Sequence, residues 1–259
     1  MNDDIAPALQ AYESLATIYD DFNHRNDYET WIGAVLLPKL LDYGLEAPGV
    51  ALDIGCGTGR AFPPLLKRGW DICGCDVSPA MVTIARERFG NQVRLSVADM
   101  RRLPTLGSFD LVLAMNDTVN HLLTDRDLHQ AMAGVAKNLS PSGLLIFDCN
   151  TRGLFRKLFD AAERRAVERG GRRWIWQGMG EGDLPPPTFR AQISGDSIDP
   201  ITITERHFSR REIERVLGAA GLRCRGVLGQ REASGRVVLC DQPDDERDGK
   251  FIYFASRES

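Results

Sequence analysis

The segment that most limits how this chain can fold is Val50-Ala51-Leu52-Asp53-Ile54, a short apolar run that stops at Gly55-Cys56-Gly57-Thr58-Gly59. So short a run bounded by turn residues reads as a strand buried on both faces rather than a helix. The alternating glycines permit a tight turn and let the backbone come close to a ligand. A helix expected from Phe62 to Lys67 follows, and a helix N-terminus offers unpaired N–H groups and the positive end of its dipole.

The strand–helix alternation continues. Asp71 to Asp76 reads as a second strand, and Ser78 caps a helix from Pro79 to Arg88 with proline at its first position. Val93 to Ala98 and Phe109 to Met115 are a third and a fourth strand. An amphipathic helix from Asp125 to Leu139 runs into the turn Ser140-Pro141-Ser142-Gly143, which feeds a fifth strand, Leu144 to Asp148. Strands alternating with helices imply a parallel sheet covered on both faces, with ligands bound beyond the C-terminal strand ends.

Residues 1–45 read as a helical cover, with Tyr12, Leu15, Ile18 and Tyr19 at helical spacing, a polar segment from Asn23 to Asp27, and the apolar stretch Trp31 to Leu37. From 151 to 205 the alternation fails. Gly170-Gly171, the segment 178–182 and Pro185-Pro186-Pro187 interrupt it, while Trp174 and Trp176 flank Ile175 as in a strand, so an inserted lid or small antiparallel lobe is expected. Residues 206–259 complete the sheet. Ser209 and Glu212 form a capping-box signature for a helix ending at Gly221, and Leu222 to Leu228 and Lys250 to Ala255 read as strands on either side of the polar turn Asp241 to Gly249. The expectation is one domain over 1–259, with 50–150 as its ligand-binding core.

The bulk numbers narrow the function. Of 259 residues, 43% are hydrophobic and 26% charged, with a net charge of −4. No apolar run nears the roughly 20 residues that span a bilayer. Met1-Asn2-Asp3-Asp4 lacks the basic start of a signal peptide, so the reading is a cytoplasmic protein with no membrane partner. The acidic balance argues against nucleic acid. The arginines at 164, 165, 169, 172 and 173 are diluted by Glu163 and Glu168 and read as a solvated face. The six cysteines form no CxxC pair, and no His-x-x-x-His spacing occurs, so neither disulfides nor a metal site are expected.

Chemistry concentrates at the strand ends. Asp76, ending the second strand, can accept both hydroxyls of a ribose. Asp99, ending the third, can accept a hydrogen bond from an adenine amino group while Met100 packs on the ring. Three consecutive strand ends thus suit an adenosyl ligand. The NAD fingerprint fits worse, since Arg60 stands where its third glycine would be.

With LDIGCGTG at 52–59, GCDVSPAMV at 74–82, VADMRRLP at 97–104 and FDLVLAMNDTVNHL at 109–122, the chain resembles the class I S-adenosylmethionine-dependent methyltransferases. Tyr19-Asp20-Asp21-Phe22 followed by Trp31 looks most like small-molecule members, including bacterial amino-sugar N-methyltransferases. The resemblance is strong over about 12–150, weaker over 201–255 and absent over the lid. It implies an α/β, Rossmann-like, doubly wound seven-stranded sheet, mostly parallel with one antiparallel strand, plus the inserted lid. It implies S-adenosylmethionine as cofactor, S-adenosylhomocysteine as product, and a small-molecule acceptor for a monomer or homodimer. By the same resemblance Gly55, Gly57, Thr58 and Gly59 approach the methionine moiety and Asp53 its amino group. Asp76 and Met81 lie at the ribose, Asp99 and Met100 at adenine, and Asn116 near the amino group and sulfonium. Tyr19 and Trp31 close over the methionine end, with Tyr12 on the same helical face as Tyr19.

A sulfonium is already an activated methyl donor, so the protein's task is alignment and exclusion of water. Tyr19 is expected beside the sulfonium. His121 is a candidate base or hydrogen-bond partner, and otherwise a helix-start cap. His207 is a candidate substrate contact. Arg206 could bind an anionic group or pair with Glu205 or Glu212. His24 lies in a loop able to cover the site, and His129 on a surface helix. Trp174 and Trp176 could line a pocket or form the lid's own core. Alternatives are methylation of a protein or RNA, against which the absence of an Asn-Pro-Pro-Tyr type segment after the fourth strand also argues, and a non-catalytic cofactor-binding protein.

Overall fold

A computed structural model describes residues 7–45, 48–181, 188–233 and 236–258. Met1 to Asp4, Gly182 and Pro185 to Pro187, singled out above, lie outside them. The helices are α1 (Pro7–Leu15), α2 (Tyr19–Phe22), α3 (Phe62–Leu66), α4 (Pro79–Phe89), α5 (Asp125–Asn138), α6 (Arg152–Leu158) and α7 (Arg210–Ala219). The strands are β1 (Val50–Ile54), β2 (Asp71–Asp76), β3 (Val93–Val97), β4 (Phe109–Ala114), β5 (Leu139–Asn150), β6 (Arg164–Arg169), β7 (Arg172–Glu181), β8 (Thr188–Gly195), β9 (Ile198–Arg206), β10 (Leu222–Ala233), β11 (Arg236–Cys240) and β12 (Lys250–Arg257).

Among the described residues eight strands form one sheet, in the order β11-β10-β12-β5-β4-β1-β2-β3. β1 to β5 run parallel, and β12 runs against both of its neighbours. The architecture is the α/β one expected, with a correction to the strand count. β10 continues past Leu228, and β11 pairs with it antiparallel as an eighth, edge strand and a second reversed one. The polar run Gln230-Arg231-Glu232 hid the continuation, because past Gln230 β10 pairs only with the edge strand β11, and pairing there requires little burial. β5 also starts earlier than expected, at Leu139, and absorbs the Pro141–Gly143 segment as an irregularity against β4.

Two apolar layers flank the sheet. On one face Leu128, Met132 and Val135 of α5 join Ile213, Val216 and Leu217 of α7. On the other, Ile32, Leu36 and Leu40 pack with Phe62 and Leu65. The helical cover differs from a regular α-helix: after α2 the chain forms a wide π-helical segment, Glu29–Leu36, and a 3₁₀ segment, Leu37–Tyr43. Local capping follows the sequence. Ser78 Oγ accepts from Met81 N–H, and Ser209 Oγ from Glu212 N–H at 3.3 Å. The capping box is half made, because the Glu212 carboxylate turns to Arg206 instead.

The segment after α6 builds a four-stranded antiparallel sheet, β6-β7-β8-β9. Trp174 is fully buried between this sheet and α1, among Leu15, Ile18, Ile193, Ile201 and Ile203. Its indole N–H donates to Asp196 C=O and that of Trp176 to Leu158 C=O, so both tryptophans serve the small lobe's core. α1 thereby carries Tyr12 on an element packed between β9 of the small sheet and α4.

Candidate functional site

The large sheet reverses its order between β1 and β4, where connections leave in opposite directions and open a crevice at the C-terminal strand ends. A cavity of about 960 Å³, its open mouth included, occupies that crevice. Of the residues expected from sequence, Tyr12, Tyr19, Asp53, Gly55, Gly57, Asp76, Asp99, Met100, Asn116 and His121 line it.

The floor is the glycine loop. Gly57 holds φ +52°, and a Cβ there would point into the cavity with only the Tyr19 ring within 4 Å. Its N–H donates to Asp76 Oδ2 at 2.8 Å, and Ser78 N–H donates to Oδ1 at 2.9 Å, so β2's terminal carboxylate ties the loop to the start of α4. Asp53 is 4% exposed, and no described donor reaches its carboxyl group. Burial, reinforced by the charge of Asp76, pushes its pKa up to about 8. At the next strand end, the Asp99 carboxylate accepts from Arg101 Nη2 at 2.7 Å and Nε at 2.9 Å. Arg101 itself lines the cavity beside Met100 and Ala98.

Five expected residues lie elsewhere, each for a packing reason. A Cβ on Gly59 would strike Phe89 and Phe62 at 2.6–2.7 Å, so this glycine makes room for the core. Thr58 donates to Asp20 at 2.7 Å and pins α2. Met81 is fully buried on the inner face of α4. Trp31 packs on the core, and Tyr28, three positions earlier, lines the cavity in its place. His207 faces Asp245 at 3.2 Å and meets Phe155 edge-on. Arg206 is buried in an ion-paired cluster with Asp125 and Glu212, not open to a substrate anion. His24 bonds to Asp21 C=O at 2.8 Å in its loop, and half-buried His129 meets Arg215 at 3.1 Å.

The upper wall is aromatic. Tyr12, Tyr19 and Tyr28 converge there, and Tyr28 hydrogen-bonds Tyr19, whose pKa burial raises to about 12. Arg60 lies over the Tyr28 ring at 4.8 Å and donates to the carbonyls of Asn23 and Asn26, which anchors the covering loop. The position that spoiled the NAD fingerprint thus belongs to the cavity wall. Tyr28 and Arg60 carried no motif signal beyond nearness to motif residues.

His121 is held in one protonation pattern. Its Nδ1 lies 3.3 Å from Thr204 C=O, which can only accept, so Nδ1 carries the hydrogen. Nε2 is left as the basic nitrogen, accepting from Tyr12 O–H at 2.8 Å. Burial lowers the pKa of His121, with Asp117 partly opposing. Beneath it lies a network that sequence reading missed. The ligating atoms of Asp117, His121 and Glu205 lie within 4.8 Å of one another. Each is engaged by the protein: Asp117 by Lys250 Nζ at 2.6 Å, Glu205 by Asn150 Nδ2 at 2.7 Å, and His121 as above. Burial, then the Asp117 charge, raises the Glu205 pKa well above the usual carboxylate range.

Comparison with known proteins agrees with this geometry. A methyltransferase-domain family model matches residues 51–143. A protein of Geobacillus sp. (strain WCH70) named as a methyltransferase is 32% identical over 154 residues, 58% of this chain and 62% of that one. The dTDP-3-amino-3,4,6-trideoxy-alpha-D-glucopyranose N,N-dimethyltransferase of Streptomyces venezuelae is 31% identical over 120 residues, 41% of this chain and 50% of that enzyme. The chain thus matches less than two thirds of either relative's length. In fold it is similar to an S-adenosylmethionine-dependent methyltransferase from Clostridium acetobutylicum, with a TM-score of 0.72 at 20% identity over 96% of this chain and 99% of that one. The sugar N-methyltransferase KedS8 from Streptoalloteichus gives 0.67 at 21% identity over 93% of each. With the strand order, the glycine loop and the acidic strand ends joined to these matches, residues 51–143 form a methyltransferase domain, and the chain as a whole shares the fold of S-adenosylmethionine-dependent methyltransferases.

Proposed function

We propose that this chain transfers the methyl group of S-adenosylmethionine to the nitrogen of a small amine. The observation that carries the acceptor class is His121: a neutral imidazole with Nε2 free of its own hydrogen and accepting from Tyr12 O–H, above the half-buried carboxyl group of Asp117 and the buried one of Glu205. Such a site can take the proton of an amine, relayed to Nε2 through the Tyr12 hydroxyl.

The cavity fits the cofactor on two counts, the open cradle at Gly57 and the unpartnered carboxyl group of Asp53. In this reading Gly55, Gly57, Asp53 and Arg60 hold the methionine end, Asp76 the ribose, and Asp99 with Met100 the adenine. Asn116 and Tyr19 flank the sulfonium. Bound there, the cofactor supplies an electrophilic methyl group. The protein's residues do the rest. The tyrosine wall excludes water, and the Tyr12 hydroxyl takes the proton that the amine must lose for its lone pair to attack while passing its own proton to His121 Nε2. The new N–C bond forms as the S–C bond breaks, and the sulfur keeps that electron pair.

The test is calorimetric binding of S-adenosylmethionine and S-adenosylhomocysteine, followed by an acceptor screen of amino sugars and other small amines against matched alcohols. Methylated amine with stoichiometric S-adenosylhomocysteine is expected; turnover of alcohols alone would overturn the nitrogen assignment. Because His121 is held below its ordinary pKa, kcat/KM should stay level through neutral pH and fall only in acid, as the imidazole protonates. His121→Ala should lose about 10²-fold or more in kcat with little change in cofactor affinity.

Asp53 yields a separate expectation. A carboxyl group with pKa about 8 is mostly protonated at pH 7, and an ammonium placed beside it favours ionisation. Cofactor binding at pH 7 should therefore release close to one proton. Calorimetry in buffers of different ionisation enthalpy reads this directly, and a buffer-independent enthalpy would count against it. The sign for stability runs the other way. The free folded protein holds this proton more tightly than the unfolded chain, so ionisation of Asp53 costs stability increasingly from about pH 4 to pH 8. Asp53→Asn should melt higher than the parent at pH 8 without ligand, yet bind the cofactor more weakly.

A further inference from the structure

The turn after β4 is strained and yet carries the site. Asn116 and Asp117 both adopt left-handed backbone, with φ of 64° and 62°. Two successive residues of this kind, neither of them glycine, are unfavourable unless their surroundings hold them. Their N–H groups both point at one carboxylate. Asn116 N–H donates to Asp148 Oδ2 at 2.7 Å and Asp117 N–H to Oδ1 at 2.6 Å. Asp148, at the far end of β5, is 1% exposed, so its charge needs a cation. Lys250 provides it from the first position of β12, with Nζ 3.3 Å from Asp148 Oδ1 and 2.6 Å from Asp117 Oδ1.

We propose that Lys250 is a positioning residue: its ammonium clasps Asp148 and Asp117, and so holds the left-handed turn that presents Asn116 to the cofactor and His121 to the acceptor. The proposal rests on the assignment of this cavity as the methyl-transfer site. The clasp works because three strands meet in the order β12-β5-β4. β12 brings the cation, β5 the shared carboxylate, and β4 ends in the turn that is clamped. Removing the ammonium leaves the buried Asp148 carboxylate and the half-buried Asp117 carboxylate without the cation they share. The turn then relaxes toward right-handed or extended backbone, and the residues leading to His121 lose their register.

Amide hydrogen exchange and S-adenosylhomocysteine affinity test this on the full-length protein. In Lys250→Met the amides of Asn116 and Asp117 should exchange about tenfold faster or more, while those of β1 and β2 keep their protection. Affinity should fall about tenfold or more, and Lys250→Arg, which retains the charge, should restore both readouts to within about threefold. A lysine that merely stabilised the fold would loosen distant amides as well. Should Lys250→Met not fold, Asp148→Asn takes its place, with the same local loss expected. Unchanged protection of the two amides in whichever variant folds overturns the clasp. If the parent protein binds no S-adenosylhomocysteine, the methyl-transfer reading falls, while the exchange measurement still decides the clasp by itself.

Discussion

Asp76→Ala should lower affinity for S-adenosylmethionine and S-adenosylhomocysteine by about 10²-fold or more, equivalent to roughly 3 kcal/mol. Two effects add. In the proposed complex the ribose hydroxyls lose their charged acceptor. The loop loses its tie as well, because the same carboxylate accepts from Gly57 and Ser78 N–H. Asp76→Asn should fare little better, since its amide must turn a donor toward one of those N–H groups or toward the ligand. Titration calorimetry reads the change. Affinity within threefold of the parent in both variants would mean that the ribose lies elsewhere in the cavity. The fold itself should survive, because burial of the carboxylate already raises its pKa and its removal relieves that cost.

Trp174→Ala should be the most damaging single truncation in the small lobe, destabilising the protein by about 3–5 kcal/mol. The side chain is fully buried, its N–H is satisfied by Asp196, and Arg172 lies over the ring at 5.0 Å. The functional consequence is indirect. Leu15 and Ile18 pack in the same cluster, and Tyr12 and Tyr19 reach the cavity from this covering segment. The variant should therefore also bind the cofactor more weakly, although Trp174 lines no part of the cavity. Chemical denaturation followed by far-ultraviolet circular dichroism checks the first claim and calorimetry the second. A loss below about 1 kcal/mol would show that the lobe tolerates the cavity by collapsing, as some cores do.

How far the site could be read from sequence depended on distance along the chain. The glycine loop, Asp76 and Asp99 each terminate a strand whose apolar pattern is visible within a few residues, so their placement around one crevice followed from the alternation alone. Trp31 was misplaced by one turn. Hydrophobic periodicity assumes a regular helix, and the wider π-helical segment turns Trp31 onto the core and leaves Tyr28 at the cavity. His207 was singled out for its position near a helix start, but the loop bearing Asp245 folds back and engages it. Arg206, open to two readings, met the ion-pair one, with Asp125 as well as Glu212.

The polar network shows the limit most clearly. Tyr12 and His121 stand 109 positions apart, and Lys250 and Asp117 stand 133 apart. No local pattern marks Lys250, which opens the last strand after a run of charged turn residues. What amino-acid order alone specified were interactions that close within a turn or a strand: the buried β1, the glycine loop, the Ser78 and Ser209 caps, the acidic strand ends. Their signals are short because backbone geometry and side-chain periodicity act over neighbouring residues. The fixed tautomer of His121, the clasp of Lys250, and the eighth strand required the sheet to assemble. A charge or hydrogen bond acquires its partner, and its pKa, only when burial removes water and strand order brings distant residues within about 3 Å.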